Sequence, residues 1–216
     1  MNSFIKRNIV FAICVLLLSF VGMAVILITD KFQLHVILNN QHSVALDVFF
    51  KTITFVASGW AITICVLIFL FYNTKYALIT AISGIAGSFL VQFLKRAIFA
   101  YHRPSYYFDI MPGLNKIENY ELYQNFSFPS GHATTAFTLF FVLSMVSGRW
   151  WLKMGLFILA LVVAYSRVYL SQHFFEDVIA GAALGFVVAY CTAYIFDKSR
   201  FNRLELPVYK LFKSKQ

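Results

Sequence analysis

The sequence has little charge for its length, and this shortage excludes most soluble folds. Only 12% of its 216 residues are charged and 60% are hydrophobic, whereas a soluble domain has about 25% charged residues. Cysteine is also scarce: Cys14, Cys65 and Cys191 fall in separate apolar runs without metal-ligand or disulfide spacing. A lipid environment is therefore expected, and a disulfide framework or a cysteine-bound metal is not.

Proline is equally scarce, and none of the four prolines lies inside a long apolar run, so nothing there predicts a helix break. Six runs approach the roughly 20 residues that a helix needs to cross a bilayer. They cover residues 8–29, 52–72, 76–94, 133–148, 150–166 and 178–196. The first exceeds a signal-peptide core and has no small-residue cleavage pattern after it, so it is interpreted as a retained span. The predicted fold class is all-α, a bundle of six uninterrupted transmembrane helices.

The chain shows no internal repeat and no Gly/Ser-rich linker. The predicted division is residues 1–44 for the first helix and an outer loop, 45–196 for a core of helices two to six, and 197–216 for a basic tail. With both termini in the cytoplasm, most of the 18 Lys and Arg residues lie on the cytoplasmic side, as the positive-inside rule requires. The tail is interpreted as an anchor near anionic lipid, not as a nucleic-acid-binding arm.

Polar residues cluster where three helices end on the outer side. The third helix ends in "LKRAIFAYHRP", the fourth begins at "PSGH", and the fifth ends in "YSRVYLSQHFFEDV". Ionisable groups at membrane depth are costly and tend to mark functional sites. Singly, a histidine can be an interfacial anchor, an arginine can snorkel and a serine can cap a helix. Their convergence favours a site at the outer face.

The residue types in this cluster are typical of phosphoryl transfer. Asp177 follows His173 by one helical turn, so its carboxylate can orient the imidazole as a nucleophile or base. Arg103 and Arg167 offer rigid forks of donors for phosphate oxygens, and Lys95 or Arg96 adds a further positive charge. The other candidates lie at the start of the fourth helix. Ser130 and Gly131 provide a helix N-terminus that favours an anion, and His132 can give a proton to a departing oxygen.

These three segments resemble the signature of the type 2 phosphatidic acid phosphatase superfamily. That signature is Lys, six residues, Arg-Pro; then Pro-Ser-Gly-His; then Ser-Arg, five residues, His, three residues, Asp. The second segment is intact at 129–132, and "SRVYLSQHFFED" at 166–177 matches every fixed position of the third. The resemblance covers roughly residues 45–196. It implies an outer-face active site and a metal-independent reaction without a cofactor.

The resemblance also implies a role for each candidate residue. His173 attacks phosphorus to form a phosphohistidine, Asp177 orients it, and His132 protonates the leaving oxygen and later activates water. The implied phosphate-binding residues are Lys95 or Arg96, Arg103, Ser130, Gly131 and Arg167.

The first segment departs from the signature at the lysine. Arg96 stands at the lysine position, with six residues between it and Arg103, and Lys95 is one residue further away. The two side chains point about 100° apart on a helix, so only one of them is expected to face the phosphate. Lys95 is favoured, because a turn after the helix can absorb one extra residue at "AYH".

The predicted function is a membrane phosphatase that acts on a lipid phosphomonoester or diphosphate. The substrate candidates are undecaprenyl diphosphate, phosphatidylglycerophosphate, phosphatidate and the lipid A phosphates. The alternatives are a lipid phosphotransferase that uses the same site and a non-catalytic lipid-phosphate binder or transporter. The expected location is a bacterial inner membrane with a periplasmic active site. The small-residue run at 181–185 is typical of close helix packing, with a homodimer contact as the alternative.

Overall fold

The chain folds as a bundle of helices in a computed structural model. The structure describes residues 3–111, 114, 117, 120–198, 205–208 and 210, and no strand occurs among them. The α-helices are α1 (Ser3–Ile28), α2 (Lys31–Asn39), α3 (Val44–Ile53), α4 (Gly59–Tyr72), α5 (Thr74–Phe93), α6 (Gly131–Val146), α7 (Trp150–Tyr169) and α8 (Phe175–Lys198). Short 3₁₀ helices cover Thr54–Ala57 and Pro104–Ile110, and a π-helical turn covers Leu94–Ile98.

Several of these helices are long and apolar enough to cross a membrane. Among the described residues, α1, α5 with its π turn, α7 and α8 meet this criterion. The bent pair Val44–Ala57 and Gly59–Tyr72 would be a fifth span if counted as one, and α6 is a shorter apolar helix. Side chains on α1 such as Leu16 and Phe20 are 65% and 75% exposed, as a lipid-facing surface requires. The all-helical membrane class is confirmed, and the count of six transmembrane helices stays a prediction.

The prediction of an uninterrupted helix over residues 52–72 is wrong. The chain bends by 54° between Val44–Ala57 and Gly59–Tyr72, and Ser58 between them is extended, with φ −83° and ψ 163°. No proline causes the break. Ser-Gly is instead a typical start of a new helix, because serine suits the N-cap position and glycine tolerates the change of backbone direction.

The two ends of the bundle differ in their polar contacts. At one end, Arg7 in α1 pairs with Asp197 in α8 at 3.0 Å, and the Lys153 Nζ donates to the carbonyl of Arg7 at 2.8 Å. The helix ends that carry the candidate site lie at the other end, where Lys31 pairs with Glu176. In the predicted tail, Glu205 pairs with Lys75, while residues 199–204, 209 and 211–216 fall outside the described part of the chain. The candidate site is therefore at the opposite end from the start of α1.

Close contact between α6 and α8 fixes the centre of the bundle. Helix α6 is largely buried, and a Cβ atom on Gly185 would lie 2.2 Å from the carbonyl oxygen of Thr134. A Cβ on Gly181 would lie 2.4 Å from the carbonyl oxygen of Ser130. The prediction of close packing by this small-residue run is confirmed, because only glycine permits such an approach.

Substitution of Gly185 should therefore destabilise the bundle. Gly185→Ala forces its Cβ into a backbone atom that cannot rotate away, and overpacking of this kind costs about 1–3 kcal/mol. Thermal unfolding in detergent should show a lower melting temperature. Gly155→Ala on α7 is the matched control, because a Cβ there meets nothing within 4 Å. Equal melting temperatures for the two variants would contradict the close approach of α6 and α8.

Candidate active site

A π-helical turn decides which basic residue of the first segment enters the site. The Phe99 N–H donates to the carbonyl of Leu94 at 2.8 Å, five residues back, so this turn holds one residue more than an α-helical turn. Lys95 is only 5% exposed and lies within electrostatic range of Arg103, Asp177 and Arg167. Arg96 is exposed and lies over the Phe126 ring. The structure thus places Lys95 in the cluster. Arg96, which the sequence left as the alternative to Lys95, lies outside the cluster.

Neutral groups hold Arg103 in position. Its Nη1 donates to the side-chain oxygen of Gln172 at 2.9 Å and to the Gln172 carbonyl at 3.2 Å. Its Nε donates to the carbonyl of Asn125 at 2.9 Å. Burial and the nearby Arg167 lower the pKa of Arg103 to about 10, which leaves it charged at neutral pH.

The second segment begins α6. Ser130 is fully buried, and its Oγ accepts from the Ala133 N–H at 3.3 Å, so Ser130 caps the helix as serine commonly does. Its own N–H donates to the backbone carbonyl of Asp177 at 2.9 Å, which ties the start of α6 to the start of α8. Gly131 is the first residue of α6, and His132 follows it. His132 lies within electrostatic range of Arg167, His173, Arg103 and Lys95.

A helix-ending motif presents His173. The Gln172 N–H donates to the carbonyl of Arg167 at 2.9 Å and the Ser171 N–H to that of Val168 at 3.0 Å, the two bonds of a Schellman motif. The His173 N–H also donates to the Arg167 carbonyl, at 3.1 Å. Ser171 takes the left-handed position, with φ 51°, where glycine is usual. The end of α7 thus aims His173 into the site.

Asp177 holds this imidazole from the first turn of α8. Its Oδ2 lies 3.3 Å from the Nδ1 of His173 and accepts from the Ser127 hydroxyl at 2.5 Å and from the Phe174 N–H at 2.9 Å. Because a carboxylate accepts from Nδ1–H, the Nε2 lone pair of His173 is the free one. Burial and the cations Arg103, Lys95 and Arg167 lower the pKa of His173 well below its ordinary value. The imidazole is therefore neutral and able to act as a nucleophile.

The side chain of Arg167 completes the cluster. It is 4% exposed, its Nη1 donates to the Thr54 hydroxyl at 2.7 Å, and its buried Nε has no hydrogen-bond partner in the structure. An anion at the cluster would give this donor a partner. In the described part of the chain, no group of three or more His, Cys, Asp and Glu residues is arranged to hold a metal ion.

The structure adds residues that the sequence patterns did not indicate. Asn39 at the end of α2 donates to the carbonyl of Tyr169 at 2.7 Å and to the Ser171 hydroxyl at 3.0 Å. The His35 Nε2 lies 3.4 Å from the same hydroxyl. Both residues are fully buried, and they brace the strained turn before His173. Their only sequence signal is polarity in an apolar neighbourhood, which does not reveal a partner more than 100 residues away.

The fold and this cluster describe a polar site at one end of an apolar helix bundle, and comparison with known proteins identifies the family of the chain. Residues 72–201, which contain all three segments, match the model of the PAP2 superfamily. Lipid A 4'-phosphatase from Porphyromonas gingivalis is 27% identical over 82% of this chain and 78% of that protein. Undecaprenyl-diphosphatase from Sulfolobus acidocaldarius is 36% identical over 38% of this chain and 39% of that protein.

A solved structure shares the fold. The crystal structure of Aquifex aeolicus LpxE superposes with a TM-score of 0.68 and 27% identity over 76% of this chain and 94% of that one. The chain belongs to the PAP2 superfamily, so the resemblance found in the sequence is confirmed. Its relatives are phosphatases, and it is a phosphatase of this family.

Replacing Lys95 and Arg96 one at a time should test the effect of the π turn. Lys95→Met removes a buried cation from the cluster and should lower kcat/KM for phosphate release by about 100-fold or more, the usual effect of losing an oxyanion donor. Arg96→Met removes an exposed side chain and should leave kcat/KM near the wild-type value. A larger loss in Arg96→Met than in Lys95→Met would contradict the assignment.

Removal of the brace on the turn should slow turnover without weakening substrate binding. Asn39→Ala frees the Tyr169 carbonyl and the Ser171 hydroxyl, so His173 loses its alignment while the phosphate-binding cations stay in place. We expect kcat to fall on the order of 10- to 100-fold, with KM unchanged. Gln33→Ala, on the exposed side of α2, is the control. An Asn39→Ala effect on KM alone would show that Asn39 does not position the nucleophile.

Proposed function

We propose that the protein hydrolyses a lipid phosphate ester through a phosphohistidine at His173. The observation that carries the proposal is the hydrogen-bonded pair of His173 and Asp177 within electrostatic range of Lys95, Arg103 and Arg167. A neutral imidazole with its free nitrogen near three cations suits attack on an anionic phosphorus centre. Two relatives are named as a lipid A 4'-phosphatase and an undecaprenyl-diphosphatase, and both names support the same proposal.

The reaction has two steps in this proposal. The Nε2 lone pair of His173 forms a bond to phosphorus while the P–O bond to the lipid breaks, and His132 gives its proton to the departing oxygen. Lys95, Arg103, Arg167 and the N-terminus of α6 stabilise the charge on the remaining phosphate oxygens. In the second step water attacks phosphorus, His132 takes the proton from that water, and the P–N bond breaks to release inorganic phosphate and neutral His173.

The orientation in the membrane is part of the proposal. The candidate site lies at the opposite end of the bundle from the start of α1, and Lys6 and Arg7 favour a cytoplasmic N-terminus. We therefore place the active site on the periplasmic face of a bacterial inner membrane. The relatives include a phosphatase of lipid A and one of a polyprenyl diphosphate, so their names support a lipid phosphate without selecting its class.

Variants of the two histidines should separate the two steps. His173→Ala should abolish phosphate release and leave no covalent phosphate on the protein. His132→Ala should be slow with lipid substrates but should still form the phosphoenzyme with a leaving group that needs no proton, such as the p-nitrophenolate released from p-nitrophenyl phosphate. Because His132 also activates water, phosphate bound to histidine should then accumulate and be detectable by ³²P labelling under alkaline conditions.

Acceptor lipids provide the control for the alternative activity. Phosphate release that is unchanged by added undecaprenyl phosphate or diacylglycerol supports a hydrolase, whereas transfer of ³²P to the added lipid in preference to water would indicate a phosphotransferase. Unaltered turnover in folded, membrane-inserted His173→Ala would contradict the proposed mechanism altogether.

A further inference from the structure

A cleft with several hydroxyl side chains in its lining runs from the candidate active site toward the middle of the membrane-spanning region. Its volume is about 330 Å³, and it lies between the bend at Ser58, one face of α5 and the first two turns of α6. His132 forms part of its wall, so the cleft borders the candidate active site. Its lining on α5 extends from Ser83 to Gln92, a rise of about 14 Å along a helix.

Hydroxyl groups line this cleft at a depth where lipid-facing helices are normally apolar. Ser83 is fully buried, and its Oγ has no hydrogen-bond partner in the structure. The buried Oγ of Ser58, across the cleft at the bend, has none either. Ser88 and Thr135 add further hydroxyls to the lining, and the Thr134 hydroxyl there donates to the Ser130 carbonyl at 3.0 Å. An unpaired buried hydroxyl is costly where water is scarce, so these groups suit an occupant that offers hydrogen-bonding atoms.

The cleft opens sideways as well as toward the site. Ser88 and Gln92 are exposed on the outer surface of α5, and a Cβ added to Gly59 at the bend would meet nothing within 4 Å. The break between Thr54–Ala57 and α4 thus leaves a gap in the wall of the bundle.

We propose that this cleft binds the hydrogen-bonding groups next to the phosphate of an acylated lipid, namely acyl-linkage carbonyls and hydroxyls. The proposal rests on the proposed function and selects a substrate class for it. A phosphorylated sugar or glycerol with ester- or amide-linked acyl chains carries such groups along the first part of the molecule. A polyprenyl chain carries none beyond its phosphate and leaves Ser83 and Ser58 unpaired.

Removal of the Ser83 hydroxyl should discriminate between lipid classes. For Ser83→Ala, kcat/KM for an acylated glucosamine phosphate and for a diacylglycerol phosphate should fall about three- to tenfold, the effect of one neutral hydrogen bond. The value for a polyprenyl monophosphate of similar carbon number should not change. Thr80→Val is the matched control: Thr80 is equally buried on α5, but its hydroxyl donates to the Tyr76 carbonyl at 2.7 Å and lies outside the cleft.

A binding measurement keeps this inference separate from the enzymatic one. Acylated glucosamine lipid without phosphate should raise the melting temperature of the wild-type protein in detergent more than that of Ser83→Ala, and polyprenol should not distinguish them. The melting temperature of unliganded Ser83→Ala should equal or exceed that of the wild type, because an unpaired hydroxyl has been removed. The proposed role of the cleft is overturned if Ser83→Ala lowers kcat/KM equally for all lipid classes. It is also overturned if Ser83→Ala changes neither kcat/KM nor the rise in melting temperature with the acylated lipid. Absence of phosphate release from every lipid would overturn the proposed function, while the binding result would still decide the occupant of the cleft.

Discussion

The arrangement of the site depends on one buried carboxylate, that of Asp177. At 1% exposure its charge depends on donors from the protein, because a buried charge without partners is strongly unfavourable. These donors reach Oδ2 alone, and the buried Oδ1 has no hydrogen-bond partner in the structure. Its Oδ2 meets the Ser127 hydroxyl, the Phe174 N–H and the Nδ1 of His173, and its backbone carbonyl accepts from the Ser130 N–H. Asp177 thus joins His173 to the start of α6: its carboxylate contacts His173 and Ser127, and its backbone carbonyl holds Ser130.

Close packing of α6 on α8 is what allows this carboxylate to act on both segments. The carbonyls of Ser130 and Thr134 approach Gly181 and Gly185 so closely that any side chain there would separate the helices. The contact begins one turn after Asp177, so a shift of α8 would move the carboxylate and the N-terminus of α6 together. The glycines of the small-residue run therefore act on the geometry of the active site from within the bundle, without contacting the reacting groups.

Much of this arrangement could be predicted from the sequence, because the three segments are local patterns with fixed spacing. The spacing of His173 and Asp177 on one helical turn, and the position of "PSGH" before an apolar run, are both visible without a structure. Asn39, His35 and Ser127 could not be found in this way, since their role depends on contacts between distant helices. The bend at Ser58 is not visible in this way, because proline is the usual sequence signal for a helix break, whereas here a Ser-Gly pair starts a new helix. The choice of Lys95 over Arg96 depended on a π turn, which one extra residue between segments suggests but does not establish.

The cations of the site are held by partners that a phosphate can replace. Arg103 donates to Gln172 and to backbone carbonyls, and Arg167 donates to the Thr54 hydroxyl. These acceptors are neutral, so they orient the guanidinium groups without cancelling their charge. Mutual repulsion and burial make this state unfavourable, as the lowered pKa of Arg103, about 10, reflects. Under the proposed function, a phosphate that enters the cluster brings the missing negative charge to donors already in position, and its affinity comes from relieving repulsion as well as from new hydrogen bonds. In the proposed reaction, negative charge develops on the departing oxygen as the bond to the lipid breaks, and donors that are already in position stabilise this charge without reorganisation.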